Sequence, residues 1–317
     1  MIRKFFGGAG FRAVSVGALL ALVGCSAIET ERRPTAGTRY LGQGLPIAAT
    51  ERAQASIVAS ETVAPADAPS IYADSAILID ASTGRTVWAK NADQRRQVAS
   101  TQKLLTGLMV AERGNLDGQV TVQPADTRAE PTKLYVKAGE TYARRPLLTT
   151  LMVKSCNDVA DLLARDHSGS PAAFAQAMNR RAASLGATSS YFVNPHGLPG
   201  SQYSTARDVG RIAFAAYRNS DLRSMMRLPS YTFRYQDGRT KTLEATNKLL
   251  KTSSMYNGMK TGYTVAAGRC LVTSASFGGR SLILVQLGSK TSYIFDDADR
   301  MMRWGFSQGG GGLFSSL

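Results

Sequence analysis

Strand-like segments lie near both ends of the folded part of this 317-residue chain, and they constrain its fold more than any other feature. Residues 76–80 form an apolar run, the turn residues 81–84 follow, and residues 86–89 complete a predicted hairpin. Further along the chain, Gly278-Gly279 joins two apolar segments and predicts a second hairpin. The predicted strands of this later part are 230–235, 271–276 and 282–287. Because hairpins pair antiparallel strands, we expect a mainly antiparallel sheet.

The segment between these strands has the pattern of helices. A buried helix is predicted from Lys103 to Glu112, and another begins at Ser170-Pro171 and ends at Gly186. The other predicted helices are 147–153, 159–164, 207–217 and 296–304. With 44% hydrophobic residues the chain can build a sizeable core. The pattern predicts an α+β fold (mixed α/β), an antiparallel sheet flanked by helices plus a helical subdomain.

The first residues have the pattern of a leader for export. Arg3, Lys4 and Arg12 accompany an apolar run at 13–23 that is short for a membrane-spanning helix and typical of a signal peptide. The run ends in Leu22-Val23-Gly24-Cys25, which resembles the lipobox of bacterial lipoproteins, in which the cysteine carries lipid. An ordinary cleaved signal with an incidental cysteine is the alternative. We expect an exported, periplasmic or cell-envelope lipoprotein that is attached to a membrane through its N-terminal lipid.

This leader divides the chain into four predicted segments. They are a lipoprotein signal peptide at 1–24, a lipidated flexible tether at 25–70, a folded domain at 71–306 and a disordered tail at 307–317. Loss of the three basic residues of the signal peptide lowers the net charge from +15 to +12. This charge suits an anionic envelope surface, or it serves solubility alone. Nucleic acid is not expected as a partner, because the basic residues are scattered and the chain is exported.

Few residues are available for metal or disulfide chemistry. After Cys25 is assigned to lipid, Cys156 and Cys270 remain, together with His167 and His196. An exported chain can form a disulfide, but we expect two unpaired thiols here. No metal-ligand spacing is visible, so neither a metal nor another cofactor is expected.

Three short motifs carry the candidate chemistry. They are Ser100-Thr101-Gln102-Lys103 at a helix start, Ser155-Cys156-Asn157 at a helix break, and Lys260-Thr261-Gly262 before a strand-rich segment. Each motif alone is weak: Ser100 could be a helix cap and Lys103 a solvated lysine. In this order they match the S-x-x-K, S-x-N and K-T-G set of penicillin-binding proteins and serine β-lactamases.

The spacing of the first motif suits nucleophilic catalysis. A serine hydroxyl needs a base, and residues three apart on a helix share a face, so Lys103 can reach Ser100. Lysine is a base only when it is neutral, and burial near another cation such as Lys260 lowers its pKa. We expect Ser155 to relay a proton and Asn157 to hydrogen-bond a peptide amide.

Longer stretches narrow the resemblance to one family. Residues 192–199, 203–208, 246–250, 258–264 and 267–272 resemble the low-molecular-mass D-alanyl-D-alanine carboxypeptidases of peptidase family S11. The resemblance implies a β-lactamase/transpeptidase-like fold and an acyl-enzyme formed with peptidoglycan stem peptides or β-lactam antibiotics. It also implies an oxyanion hole built from the backbone N–H groups of Ser100 and Tyr263.

The third motif has an expected substrate-binding role. Lys260 and Thr261 suit the free carboxylate at the end of a substrate peptide. Gly262 is expected to let the substrate backbone approach a strand edge. Cys156 departs from the family pattern, in which a smaller residue usually stands between the serine and the asparagine.

Four other functions compete with the carboxypeptidase. A D,D-endopeptidase would share the same acyl-enzyme. A class A-like β-lactamase needs a glutamate after the second motif, and none occurs between Glu140 and Glu244. A Ser–His–Asp hydrolase would need His196, whose Asn-Pro-His-Gly segment is more typical of a structural turn. The last alternative is a non-catalytic cell-wall-binding lipoprotein, which Cys156 and the basic charge leave open.

Overall fold

The computed structural model describes residue 65 and residues 67–290 and 292–308. The predicted signal peptide, the lipid site at Cys25, most of the predicted tether and residues 309–317 lie outside the described residues. Within the described part of the chain, no helix combines the length and apolar character needed to cross a membrane.

A five-stranded antiparallel sheet forms the centre of the fold. Its strands are β1 (Ser75–Asp80), β2 (Thr86–Lys90), β7 (Tyr256–Thr264), β8 (Gly268–Phe277) and β9 (Arg280–Ser289). They lie in the order β2-β1-β9-β8-β7, so the N-terminal hairpin pairs with the last strand in sequence. This order leaves β7 at one edge of the sheet.

Helices cover both faces of this sheet. The helices are α1 (Lys103–Arg113), α2 (Arg144–Lys154), α3 (Asn157–Ser168), α4 (Pro171–Ser184), α5 (Ala206–Arg218), α6 (Ser220–Met226) and α7 (Ile294–Ser307). Ile77 and Ile79 of β1 belong to the larger core with α1 to α6, whereas Leu78 belongs to a second core with α7. This division follows from the alternation of side chains along a strand. The predicted fold, helices flanking an antiparallel sheet with a helical subdomain, is confirmed.

Two small sheets complete the helical side. Strands β3 (Gln119–Thr121) and β4 (Thr141–Ala143) form one, and β5 (Ser230–Arg234) and β6 (Thr240–Glu244) form the other. Only the β5 segment was predicted. The other three strands are short or largely exposed, so they lack a clear hydrophobic alternation.

The largest difference from the sequence prediction is at residues 256–264. Lys260-Thr261-Gly262 was expected to precede the strands, but it lies inside β7. This segment contains Gly258 in a left-handed conformation (φ 83°), where the pairing with β8 shifts register. Gly258, Gly262 and the bulge interrupt the residue pattern by which a strand is recognised in a sequence. The extended conformation of these residues therefore depends on their pairing with β8.

The folded part also begins earlier than residue 71. Asp67 accepts a hydrogen bond from Trp304 Nε1 (3.2 Å), and Arg300 donates one to the carbonyl of Ser70 (3.4 Å). Both donors lie on α7. Residues 67–70, which were assigned to the tether, therefore contact the last helix. The side chains of Trp304 and Arg300 on this helix donate the hydrogen bonds that hold them.

Candidate active site

Ser100 lies in a tight turn at the start of α1. Residues Ala99–Gln102 form a single turn of 3-10 helix, and Ala99 has a positive φ of 48°. A non-glycine residue rarely adopts this conformation, and such strain is concentrated at functional sites. Ser100 Oγ donates a hydrogen bond to the carbonyl of His196 (3.1 Å). The turn thus presents the hydroxyl at the helix N-terminus.

Lys103 is fully buried one turn further along. Its Nζ donates hydrogen bonds to Ser100 Oγ (2.9 Å), Asn157 Oδ1 (2.7 Å) and the carbonyl of His196 (2.7 Å). The contact with Ser100 is the one that the three-residue spacing predicted. Burial, and then the charge of Lys260, hold the pKa of Lys103 well below the ordinary lysine value. Once neutral, this amine can take the proton of Ser100.

The second motif occupies the break between α2 and α3. Ser155 ends α2 in a left-handed conformation (φ 69°), and Asn157 begins α3. Asn157 Nδ2 donates to the carbonyl of Glu130 (3.1 Å), so both ends of its amide are engaged. Within the described residues the Ser155 hydroxyl has no hydrogen-bond partner, which leaves it available for a proton. Asn157 therefore holds Lys103 in place, a role that the sequence did not predict.

A buried carboxylate beside Asn157 positions the loop that faces Ser155. Asp158 accepts hydrogen bonds from the backbone N–H groups of Leu134 (3.0 Å) and Tyr135 (2.9 Å). Burial raises the pKa of Asp158, and these N–H groups oppose the rise. Asp158 was not among the predicted site residues, although an aspartate in the first turn of a helix is a usable signal.

The third motif lies on the edge strand β7, against the Ser100 turn. Lys260 is fully buried, and its Nζ donates to the carbonyl of Thr261 (2.9 Å). Burial lowers the pKa of Lys260 to about 7. A Cβ atom at Gly262 would lie 2.7 Å from the backbone nitrogen of Ser100. Gly262 is therefore required for the approach of β7 to Ser100. It also lines the cleft beside Ser100, and its contact with a substrate backbone stays a prediction.

A loop at residues 194–197 supplies a further part of the site. Asn194 Oδ1 accepts from the N–H groups of His196 (3.2 Å) and Gly197 (2.7 Å), which forms the predicted turn. Gly197 has φ 86°, and a Cβ there would lie 2.1 Å from the carbonyl of Ala99. The turn was predicted from the sequence, but its contact with the site was not. The backbone carbonyl of His196 accepts hydrogen bonds from both Ser100 and Lys103, and a backbone carbonyl has no signature in the sequence.

The ring of His196 does not match a Ser–His–Asp triad. Burial, and then Lys103, lower the pKa of His196 to about 3, so the imidazole is neutral. Its Nε2 lies 3.7 Å from Asp161 Oδ1, which is not an ion pair when the ring is neutral. The contact between His196 and Ser100 is made by the backbone carbonyl. This arrangement disfavours the triad hypothesis.

Both remaining cysteines are unpaired, as predicted. Cys156 is buried in the larger core, and burial raises the pKa of its thiol to about 12. Burial likewise raises the pKa of Cys270 to about 11. A thiol with a raised pKa is a poor nucleophile, so Cys156 acts as a packing residue. In residues 67–290 and 292–308, no three His, Cys, Asp or Glu side chains are arranged to hold a metal ion.

The three motifs meet at one cleft of about 520 Å³, which we call the Ser100 cleft. It is lined by Ser100 and Ser155, by Thr261, Gly262 and Tyr263, and by the cationic side chains Lys154, Lys248 and Arg269. The Arg269 guanidinium lies 5.4 Å from the centre of the Tyr263 ring. An activated serine beside an edge strand with nearby cations suits acyl transfer from a peptide with a free carboxylate.

Comparison with known proteins identifies a matching family and relatives of similar sequence and structure. The family model described as D-alanyl-D-alanine carboxypeptidase (peptidase S11) matches residues 61–291. A D-alanyl-D-alanine carboxypeptidase from Streptomyces sp. (strain K15) is 34% identical, over 75% of this chain and 89% of the relative. A D-alanyl-D-alanine endopeptidase from Escherichia coli (strain K12) is 30% identical, over 75% of this chain and 79% of the relative. The crystal structure of a D-alanyl-D-alanine carboxypeptidase from Mycobacterium tuberculosis H37Rv, 32% identical, has a TM-score of 0.74, over 77% of this chain and 96% of that one.

Proposed function

Because the chain belongs to the peptidase S11 family of D-alanyl-D-alanine carboxypeptidases, we propose that it forms an acyl-enzyme on Ser100 with peptidoglycan stem peptides. It is a serine-type D-Ala-D-Ala carboxypeptidase. The observation that carries the assignment of Ser100 is the buried Lys103 amine 2.9 Å from its hydroxyl. A base at this distance from a nucleophile is within hydrogen-bond reach for proton transfer.

Acylation begins when neutral Lys103 takes the proton of Ser100. The serine oxygen then attacks the carbonyl carbon of the penultimate D-Ala. The negative charge that develops on the carbonyl oxygen is stabilised by the backbone N–H groups of Ser100 and Tyr263. The close approach of Gly262 to the Ser100 nitrogen supports this assignment, since it brings β7 beside the Ser100 turn.

The departing D-Ala amine needs a proton, and Ser155 and Lys260 supply it. Ser155 lines the cleft, and a lysine with a pKa of about 7 can release and regain a proton near neutral pH. Water then attacks the ester carbonyl and gives a proton to Lys260, while the proton held by Lys103 returns to the Ser100 oxygen as the ester bond breaks, so both lysines regain their starting states. Lys260 behind the cleft, with Lys154 and Lys248 at its lining, supplies a positive potential for the terminal carboxylate of the substrate, and the Thr261 hydroxyl can donate a hydrogen bond to it.

Penicillin reacts with Ser100 in the same way as the substrate, but the acyl-enzyme that it forms is hydrolysed slowly. The β-lactam carbonyl acylates Ser100, and no glutamate stands between Glu140 and Glu244 to activate water as in class A β-lactamases. We therefore expect a long-lived covalent adduct. The family membership supports β-lactam binding and disfavours the β-lactamase and scaffold alternatives.

Product analysis tests the function directly. The full chain is incubated with a pentapeptide ending in D-Ala-D-Ala, with a crosslinked peptide dimer, and with the pentapeptide plus an amine acceptor. Release of D-Ala from the pentapeptide, with little cleavage of the dimer, is the expected result. Cleavage of the dimer alone would assign an endopeptidase, and transfer to the amine would assign a transpeptidase. Inert pentapeptide would contradict the carboxypeptidase.

We also propose that the lipid on Cys25 attaches the protein to a membrane. The support is the order of basic residues, apolar run and Leu22-Val23-Gly24-Cys25. Ser26, rather than an aspartate, follows the cysteine, which favours the outer membrane where an organism has one. The location would be the periplasm or the cell envelope.

Cys25→Ala is expected to move the protein out of the membrane fraction, because it removes the thiol that accepts the lipid. Fractionation followed by detection of the protein measures this shift. Ser26→Ala keeps the thiol and is the matched control, so it should remain with the membrane. Retention of the Cys25→Ala protein in the membrane fraction would refute lipid attachment at this residue.

A further inference from the structure

A second cleft, of about 420 Å³, adjoins the loop that borders the Ser100 cleft, and the mechanism above does not use it. We call it the hairpin cleft; its lining residues are Leu134, Tyr135, Tyr235, Arg239, Thr240 and Lys241. Pro131 and Thr132, which precede its first two residues in the chain, line the Ser100 cleft. One loop therefore borders both clefts. Thr132 and Leu134 are two positions apart in the chain, so the linings of the two clefts come within about 7 Å of each other.

Hydrogen bonds hold the floor of the hairpin cleft in place. The Tyr235 hydroxyl donates to the carbonyl of Leu134 (2.7 Å), and the N–H of Leu134 donates to Asp158 (3.0 Å). Asp158 follows Asn157, which contacts Lys103. The cleft is thus tied to the start of α3, where the neighbouring Asn157 accepts a hydrogen bond from Lys103, so its position relative to Ser100 is fixed before a ligand binds.

Aromatic rings and cations line this cleft together. The Nζ atoms of Lys133 and Lys241 lie 5.5 Å and 5.6 Å from the centre of the Tyr135 ring. The Arg239 guanidinium lies 4.9 Å from the centre of the Tyr235 ring. Tyr135 is 60% exposed, although its backbone is held by Asp158. An exposed ring on a rigid backbone is a contact surface for a ligand.

Of the three cations at the hairpin cleft, Lys133, Arg239 and Lys241, only Lys241 has a charge that no described carboxylate neutralises. Lys133 pairs with Glu130 (2.7 Å) and Arg239 with Asp237 (2.7 Å), whereas Lys241 forms no ion pair with a described residue. Lys241 also acts toward the Ser100 site: it is among the cations that oppose the burial-raised pKa of the Cys156 thiol. An anion in the cleft would therefore meet an uncompensated positive charge near the second motif.

We propose that the hairpin cleft binds the stem peptide upstream of the D-Ala-D-Ala bond, with a free carboxylate of that peptide against Lys241 and its apolar part against Tyr135. This inference rests on the proposed function, because it takes the bound peptide to be the one that reacts with Ser100. A stem peptide with a γ-linked glutamyl residue carries such a carboxylate two residues before the penultimate D-Ala. Two extended residues span roughly 7 Å, which matches the greatest separation that the two chain positions from Thr132 to Leu134 allow between the linings of the clefts.

Binding to the full chain carrying Ser100→Ala tests the inference without turnover. Three peptides ending in D-Ala-D-Ala are titrated by calorimetry: an acetylated tripeptide, a pentapeptide with the glutamyl carboxylate, and the same pentapeptide with that carboxylate amidated. Lys241→Gln is expected to raise the Kd of the carboxylate pentapeptide about two- to fivefold, as for the stronger exposed charge pairs. The Kd values of the other two peptides should not change.

The matched control is Arg180→Gln, which removes one exposed positive charge from α4 and leaves both clefts intact. It should leave all three Kd values unchanged. Equal weakening of all three peptides by Lys241→Gln, or equal affinity of the charged and amidated pentapeptides for the parent protein, would overturn the inference. Binding as expected without D-Ala release by the wild type would instead refute the proposed function and leave the cleft assignment standing.

Discussion

Ser100→Ala is expected to abolish the penicillin adduct and to lower kcat/KM for D-Ala release by about 10⁴-fold or more, as removal of a catalytic serine does in other hydrolases. The physical reason is that the substitution removes the only oxygen of the turn that Lys103 can activate at 2.9 Å. The backbone N–H groups remain, so substrate can still bind. Intact-protein mass after incubation with penicillin measures the adduct directly.

The control for this experiment is Ser224→Ala, which changes an exposed serine on α6. It should form the same adduct as the wild type. An adduct on the Ser100→Ala protein would assign the nucleophile elsewhere. A wild type that forms no adduct and leaves the drug intact would favour a non-catalytic wall-binding lipoprotein, and one that hydrolyses the drug would favour a β-lactamase.

Lys103→Met is expected to slow acylation by about 10²- to 10⁴-fold, the range for loss of a general base. Methionine has a similar length, so it fills the buried site but cannot take the proton of Ser100. The rate of adduct formation with penicillin, followed over time, measures the loss. Lys251→Met, at an exposed lysine outside both clefts, should acylate at the wild-type rate. Acylation of Lys103→Met at that rate would remove Lys103 as the base.

The wild type and Lys103→Met are also expected to differ in how their stability depends on pH. The pKa of Lys103 in the folded protein lies well below 10.5, the value for an unperturbed lysine. Between the lowered pKa and 10.5, the unfolded chain binds more protons at this residue than the folded protein does. Stability from this residue therefore rises with pH through that window, and it is lost as pH falls.

Relative to Lys103→Met, the free energy of unfolding of the wild type should therefore increase as pH rises toward 10.5. Denaturant unfolding at several pH values, followed by tryptophan fluorescence, measures the difference. A difference that stays constant with pH would show that the pKa of Lys103 is not lowered by folding. The experiment separates the electrostatic state of the lysine from its catalytic role.

The sequence alone was sufficient to identify the three motifs and to predict the contact between Ser100 and Lys103. That contact follows from helix geometry, in which residues three apart share a face whatever the rest of the chain does. The hairpin at residues 76–89 and the helix break at Ser155 were likewise predictable, because turn residues and apolar periodicity are local properties. These local patterns determine which elements form and which side chains lie on one face.

Tertiary structure alone decided how the motifs meet. The pairing of β1 with β9 brings the two ends of the domain together, and the edge strand β7 forms only through its pairing with β8. The carbonyl of His196 contacts Ser100 and Lys103 from more than ninety residues away in the chain. The depth at which Lys103 and Lys260 are buried, which lowers their pKa values, is set by the whole domain. Such contacts depend on long-range packing and backbone atoms, and a backbone carbonyl leaves no signature in the order of side chains.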